Sequence, residues 1–393
     1  MGTNIIKVSS EEMGADMKNN RKWGKILVKS LLFMLCAVIA VAVFAIAFLR
    51  LWPAFGSAPD NSDKSNYAAR AENYTNGAFV NNGSFSIMGE STDSYAGRTS
   101  GKGDTPTDTL PVISPTFLED PPEDELTITW FGHSTSLLQM QGMNILFDPV
   151  FSEISSPVSF VGVRRFSPLP METEELPYID IVIISHDHYD HLDYPTIKAI
   201  DGTVDHYIVP LGVENHLERW GVAEEKIITM AWWEEIQVNG LTVACTPARH
   251  YSGRSLNDRN ASLWASWVLR NDFYQVFESG DTGYGGHFSQ IDEKYGPFDL
   301  ALVDCAQYDT AWHDVHMFPE EAAAAAGELN AQTVMPIHWG AFKLANHAWD
   351  DPAERLVQGA EDIGLTANTP MLGETVTWGD RENHQARWWR ELK

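Results

Sequence analysis

Residues 181–193 read IVIISHDHYDHLD, an apolar run that stops abruptly and hands over to three histidines and three aspartates within nine positions. The apolar part reads as a buried strand, so the fold must set a strand end beside a cluster of ionisable side chains. Residues two apart in an extended loop point the same way, so His186 and His188 can face one metal ion while Asp190 and His191 face a second beside it. A histidine pair this local cannot close a four-coordinate site. Further ligands have to come from distant segments, which demands a fold that gathers several strand ends at one edge.

Three later segments end in that way. TVACTPARH delivers His250, DFYQVFESGD delivers Asp281, and TVMPIH delivers His338. A lone His338 or Asp281 is more often a surface or capping residue, but four strand-terminal ligand sets in one domain are hard to reach by accident. From Leu126 onward LTITWFG, TSLLQMQ and MNILFDPV read as strands with short turns. IDIVIIS, DHYIVP, KIITM, EIQVNGLTVACTP, ASLWASWVL, DFYQVFESGD, FDLALVDC and TVMPIHWG follow as further strands. YPTIKAI, GVENHLERW, PEEAAAAAGELN and DPAERLVQGAEDIG read as helices between them, Pro319 with Glu320 and Glu321 marking one helix start. Antiparallel-looking strands come first and strand–helix alternation later, twice over. This predicts an α/β (α+β) domain of two packed mixed sheets flanked by helices over 123–380, rather than one doubly wound sheet. Residues 381–393 are expected to be a short tail.

Upstream, residues 30–50 include SLLFMLCAVIAVAVFAIAFL, which carries no charge. About 20 such residues cross a bilayer core of about 30 Å. A cleaved signal peptide is the competing reading, with Ala45-Ile46-Ala47 as its small-x-small site, but the apolar run and the basic leader are both long for one. Phe33, Met34 and Leu35 before Cys36 are too bulky for a lipoprotein signal. Lys18, Arg21, Lys22, Lys25 and Lys29 precede the span, so residues 1–29 are expected to be a cytoplasmic basic leader. Residues 30–50 are then a single-pass anchor in the cell membrane, with the catalytic domain on the extracytoplasmic side. Residues 51–122, rich in Ser, Asn, Gly, Thr and Pro, read as a polar tether, ordered at most where it meets the domain.

The formal net charge is −27, and six cations against three carboxylates in residues 1–30 leave the remainder near −30. Such a surface repels phosphate backbones and argues against a nucleic-acid partner. Three cysteines in 393 residues do not make a disulfide framework. The sequons at Asn73, Asn82 and Asn260 are short enough to occur by chance. Oligomeric state is left open, a homodimer included.

The ligand constellation resembles the metallo-β-lactamase fold superfamily, an αββα sandwich with two metals at its edge. Within it, ITWFGHSTSLL, NILFDPVFSEISSPVSFVGVRRFSPLP, TPARHYSGR, SGDTGY, HMFPEEA and PIHWGAFKLANHAWDDPAERL are similar to the N-acylphosphatidylethanolamine-hydrolysing phospholipase D family and its bacterial relatives. The likeness runs from about Leu126 to Thr377, and ENYTNGAFVNNG resembles that family's segment ahead of the domain. VDCAQYDTAWHD departs from the family, near where substrate contacts are expected. The resemblance implies that His186, His188 and His250 hold one zinc, that Asp190, His191 and His338 hold the other, and that Asp281 bridges them.

Two zinc ions about 3.5–4 Å apart would make a hydroxide from bridging water at neutral pH and clamp the oxygens of an in-line displacement. Iron and manganese are the other ions this donor set accommodates. Asp190 is the candidate general base. His316, at the start of a helix, is a candidate to contact a substrate phosphate or orient a ligand. Asp187 and Asp193 are candidate outer partners for the ligand histidines, and Arg249 and Arg254 could offset a phosphodiester's charge. His133 is as readily a satisfied histidine at a strand end as a participant. The expected activity is a membrane-anchored zinc phosphodiesterase acting on a phospholipid or a small molecule. A lactone or thioester hydrolase and a non-catalytic anchored binding module are the alternatives.

Overall fold

The computed structural model describes residues 10–87 and 103–392. Residues 1–9 of the basic leader and 88–102 of the tether lie outside the described residues. The chain divides into two units, Met1–Trp52 and Pro53–Lys393. Among its described residues the first holds one helix, α1 (Ser10–Leu51), within which Arg21–Leu51 is long and apolar enough to cross a membrane. At 1.5 Å per residue these 31 residues reach about 46 Å.

The second unit opens with a turn at Pro53–Phe55, followed by α2 (Asn61–Arg70) and a small hairpin of Tyr74–Thr75 and Ala78–Phe79. This corrects the expectation of a tether from residue 51: residues 53–87 are folded onto the domain. Asp60 and Asp63 make a reciprocal cap at the start of α2. Tyr67, Ala71 and Phe79 are buried in a cluster with Leu211, Leu263 and Trp264. Arg70 reaches Glu234 at 2.6 Å. A few isolated apolar anchors in a polar segment give no periodic signal, so composition alone read it as linker.

Two seven-stranded sheets follow. The first has the order Ile227–Met230, Val204–Pro210, Ile179–Ile183, Met143–Phe147, Thr135–Met140, Thr127–Gly132, Thr375–Thr377. The second runs Glu235–Val238, Leu241–Thr246, Ser266–Arg270, Gln275–Glu278, Leu300–Asp304, Thr333–Ile337, Thr366–Ala367. Each joins an antiparallel half to a parallel half, so both sheets are mixed, as expected. Alternation along the first sheet divides its side chains between two layers. Leu138, Ile145, Ile181, Ile183 and Ile208 enter the core shared with the second sheet, where Val243, Trp267, Leu269 and Phe277 meet them. Leu137, Leu146, Val182, Tyr207 and Val209 face the other way, onto α3 (Tyr194–Ile200) and α4 (Glu214–Trp220). Because both faces are covered, these strands read as continuous apolar runs. On the second sheet lie α5 (His287–Tyr295), α6 (Pro319–Glu328) and α7 (Asp351–Ile363).

Sequence reading missed α5, which begins without a side-chain cap. It also missed the hairpin of Ile154–Val158 and Val161–Arg164, which bonds to neither large sheet. The segment expected as a tail is packed as well: Trp388 and Trp389 are buried, and Glu354 of α7 receives Arg387 at 2.8 Å and the Trp389 indole at 2.9 Å.

Candidate metal centre

Every expected ligand falls just beyond a strand, on one edge of the sandwich. The loop 186–191 follows Ile179–Ile183, His250 follows Leu241–Thr246, Asp281 follows Gln275–Glu278, and His338 follows Thr333–Ile337. The two sheets are laced together there. His133 N–H donates to the Trp339 carbonyl at 2.8 Å, and His338 N–H to the His133 carbonyl at 3.0 Å. Both histidines take left-handed backbone, φ +55° and +67°, a conformation that non-glycine residues keep only where the surroundings enforce it.

The side chains converge in two sets around one carboxylate. His186 Nε2 and His250 Nε2 lie 2.8 and 3.2 Å from His188 Nδ1. Asp281 Oδ2 is 3.7 Å from His186 Nε2 and from His250 Nε2. Its other oxygen is 3.1 Å from both His191 Nε2 and His338 Nδ1. Asp190 Oδ2 lies 3.7 Å from His191 Nε2 and 2.9 Å from His133 Nε2. His186, His188, His250 and Asp281 form one group with a ligand atom from each close enough to share an ion. His133, Asp190, His191 and His338 form another. Buried within this cluster, Asp281 Oδ1 and His191 Nε2 complete no hydrogen bond with described residues. Unpaired donor atoms of this kind, in a nitrogen-and-oxygen set with one shared carboxylate, fit a pair of divalent cations.

Electrostatics suits the same role. Burial drives His186, His250 and His338 well below an ordinary imidazole and His188 down to about 4, so each is a neutral donor. Burial pushes Asp281 up to about 6, with His191 pulling the other way. Burial would also raise Asp190, but His191 and the hydrogen-bonded His133 hold it below the usual carboxylate range. For His191, Asp281, Asp190 and Asp148 outweigh burial and raise it.

The supporting partners differ from those expected. Asp187 accepts from Gly253 N–H at 2.8 Å and from Ser262 Oγ at 2.7 Å, and faces His216 at 3.3 Å. Asp193 accepts from Thr196. Among described residues neither bonds a ligand histidine. Asp148 does: its Oδ2 takes His191 Nδ1 at 2.7 Å, and its Oδ1 takes the Ser185 N–H at 2.7 Å. His250 Nδ1 sits 3.1 Å from the Val315 carbonyl, and Ser185 Oγ 2.9 Å from His186 Nδ1. Asp148 and Asp304 each close an apolar strand, the same signal that marked the ligands. The arginines are structural, against expectation. Buried Arg254 donates to the carbonyls of Ala54, Asp187 and Leu192, and Arg249 bonds Tyr284 O and Asp314.

Above the cluster opens a cavity of about 380 Å³. His188, Asp190, Asp281, His316 and His338 line it together with Tyr189, Tyr251, Trp312 and Leu344. His316 Nδ1 bonds Asp304 Oδ2 at 2.9 Å. Burial lowers its pKa but Asp304 more than reverses this, raising it above an ordinary imidazole. Gln307, within the stretch VDCAQYDTAWHD, bridges the His338 and Phe342 carbonyls, each at 3.1 Å, and lines the cavity as well.

Comparison with known proteins agrees with this architecture. The family described as "Beta-lactamase superfamily domain" matches residues 143–339. An uncharacterized protein of Mycobacterium tuberculosis is 44% identical over 286 residues, 72% of this chain and 76% of the relative. The N-acyl-phosphatidylethanolamine-hydrolyzing phospholipase D 1 of Caenorhabditis elegans is 33% identical over 290 residues, 70% of this chain and 82% of the relative. Among solved structures, a metallo hydrolase from Ignicoccus hospitalis superposes with a TM-score of 0.50 at 25% identity, covering 64% of this chain and 98% of that one. With its two mixed sheets and its histidine–aspartate cluster at their shared edge, the chain belongs to the metallo-β-lactamase fold superfamily.

Proposed function

We propose that this protein is a membrane-anchored, zinc-dependent hydrolase that cuts a phosphodiester in a phospholipid of the N-acylphosphatidylethanolamine class. The observation that carries the reading is Asp281, whose two oxygens address the two histidine sets separately on the floor of an aromatic-walled cavity. The worm relative's name supplies the substrate class. The helix Arg21–Leu51 supplies the anchor, with the catalytic unit on the extracytoplasmic side. His186, His188 and His250 would hold one ion, and Asp190, His191 and His338 the other, with Asp281 shared. Bound there, divalent zinc would activate water and neutralise charge on the phosphoryl oxygens.

The remaining residues have roles of their own. Asp190 was a candidate both to bind metal and to take a proton. A carboxylate held anionic by His191 and His133 is a good ligand and a weak proton acceptor, so we assign it the first role. His316, its Nδ1 fixed by Asp304 and its pKa raised by that carboxylate, offers in its protonated form a hydrogen bond to a phosphoryl oxygen as charge grows there. Tyr189, Tyr251, Trp312 and Leu344 give the cavity apolar walls for a lipid substrate.

The test is a panel of phosphodiester, lactone and thioester substrates offered to one preparation of the full chain, with its metal content measured. Phosphodiester hydrolysis with two metals per chain, lost in His188→Ala and Asp281→Asn, is the expected result. Turnover of lactone or thioester alone would replace the reading with acyl hydrolysis. Far fewer than two metals and no turnover would leave a binding module.

A further inference from the structure

The three most exposed large apolar side chains among the described residues of the Pro53–Lys393 unit are Leu256 (80%), Phe160 (79%) and Val161 (61%). Phe160 and Val161 form the tip of the hairpin Ile154–Arg164, whose residues 154–163 carry no charge in a chain at −27. Exposed apolar side chains on a projecting, uncharged element mark a binding surface. Where these elements sit identifies the partner. The first strand of the hairpin lies against the turn Pro53–Phe55, the first structured residues of the unit. Leu256 lies two residues beyond Arg254, whose guanidinium holds the Ala54 carbonyl at 3.0 and 3.2 Å. Both apolar features are thus pinned around the point where the chain enters the domain. Only Trp52 separates that point from Leu51, the last residue of α1. The connection is therefore two Cα steps, at most about 7.6 Å of chain.

The cavity shares the same rim. Ser155 of the hairpin and Tyr189 both line it, and the Tyr189 hydroxyl donates to the Arg254 carbonyl at 2.6 Å. We infer that the face carrying Phe160, Val161 and Leu256 docks on the lipid surface, with the hairpin tip seated among the headgroups and the cavity mouth presented to the bilayer. The inference rests on reading α1 as a membrane span and goes beyond the reading of a lipid hydrolase, because it names the surface through which substrate arrives. A side chain among the headgroups reaches the boundary of the acyl chains, so a lipid need only be lifted partly out of the bilayer to enter.

The test uses the full chain in phosphatidylcholine vesicles with an environment-sensitive fluorophore at one cysteine. Native Cys36 places the label in α1, while Cys245 and Cys305 are buried. A Cys36→Ala background with Phe160→Cys, or Val161→Cys as a second position, places it on the hairpin. Phe273→Cys, in the exposed turn before Gln275–Glu278 and at the opposite end of that strand from Asp281, is the aqueous control. The expected result is quenching by brominated acyl chains at positions 36 and 160 or 161, and by iodide alone at 273. Lipid quenching at 36 with iodide quenching at 160 and 161 would overturn the docking face and leave the span standing. No lipid quenching at either site would overturn both. A hairpin label shielded from both quenchers would place it against a second copy of the chain, and the lipid assignment would fall.

Discussion

Asp148→Asn is the sharpest probe of how the metal cluster is held. Asp148 is buried and uses both oxygens: Oδ1 for the Ser185 N–H, Oδ2 for His191 Nδ1 and the Ser185 hydroxyl. An asparagine keeps the shape but replaces one acceptor with a donor. In one orientation its NH2 meets the Ser185 N–H, leaving a buried backbone donor unpaired at a cost of about 1–3 kcal/mol. In the other it meets His191 Nδ1, which must then give up its proton to Nε2, the atom turned toward Asp281 and Asp190. A ring protonated at Nε2 cannot bind metal through that atom. Losing an outer partner of a ligand histidine weakens metal binding about 10–100-fold, or about 1.4–2.7 kcal/mol. The assay is zinc competition against a chromogenic chelator, alongside denaturant unfolding of the metal-free protein. Asp193→Asn is the control, since Asp193 is the same residue type beside the motif but bonds Thr196. We expect weaker metal binding in Asp148→Asn and unchanged affinity in Asp193→Asn. Parental affinity in both would refute the assignment of Asp148 as the support of His191.

Three further perturbations probe other levels of the structure. Gly280 precedes Asp281 at φ +53°, and a Cβ there would come 2.6 Å from Ser185 Cβ and 2.9 Å from the Ala265 carbonyl. Gly280→Ala should cost at least about 1–2 kcal/mol from the left-handed backbone alone and shift Asp281, read as a lower denaturation midpoint with reduced metal content; an unchanged midpoint would count against the close approach. His316→Gln should lower phosphodiester turnover about 10²–10³-fold with metal content intact, and loss of metal instead would make it a ligand. Arg390, with Trp389 and Arg387, holds Glu354 down to about 2 against an ordinary 4.5. Its contribution to stability is therefore complete above about pH 4.5 and lost as pH falls toward 2, a slope in unfolding free energy that Glu354→Gln should flatten.

Legibility followed the range of the interaction. The motif at 186–191 was readable because its ligands are neighbours in sequence, and His250, Asp281 and His338 because each ends an apolar run. The two-sheet architecture followed from the order of strand and helix patterns. What stayed hidden had no period. Tyr67 and Phe79 anchor residues 53–87 one at a time, and the hairpin at 154–164 exposes its apolar tip instead of burying one face. Trp388 and Trp389 close the domain from a segment with only a few apolar residues.

The outer partners show why a ligand and its support cannot be separated by sequence position. Asp187 and Asp193 flank the histidines along the chain, yet Asp187 turns away toward His216 and Ser262. Asp148 lies 43 residues from His191. It is brought there because Met143–Phe147 runs parallel to Ile179–Ile183 with Phe147 opposite Ile183. One residue further along each strand, the Asp148 carboxylate stands beside the turn that begins at Ser185. A shift of that register by a single residue would send the carboxylate to the opposite face of the sheet. The metal cluster is therefore specified twice: by residue type at the strand ends, which a sequence displays, and by strand register, which exists only once the sheet has formed.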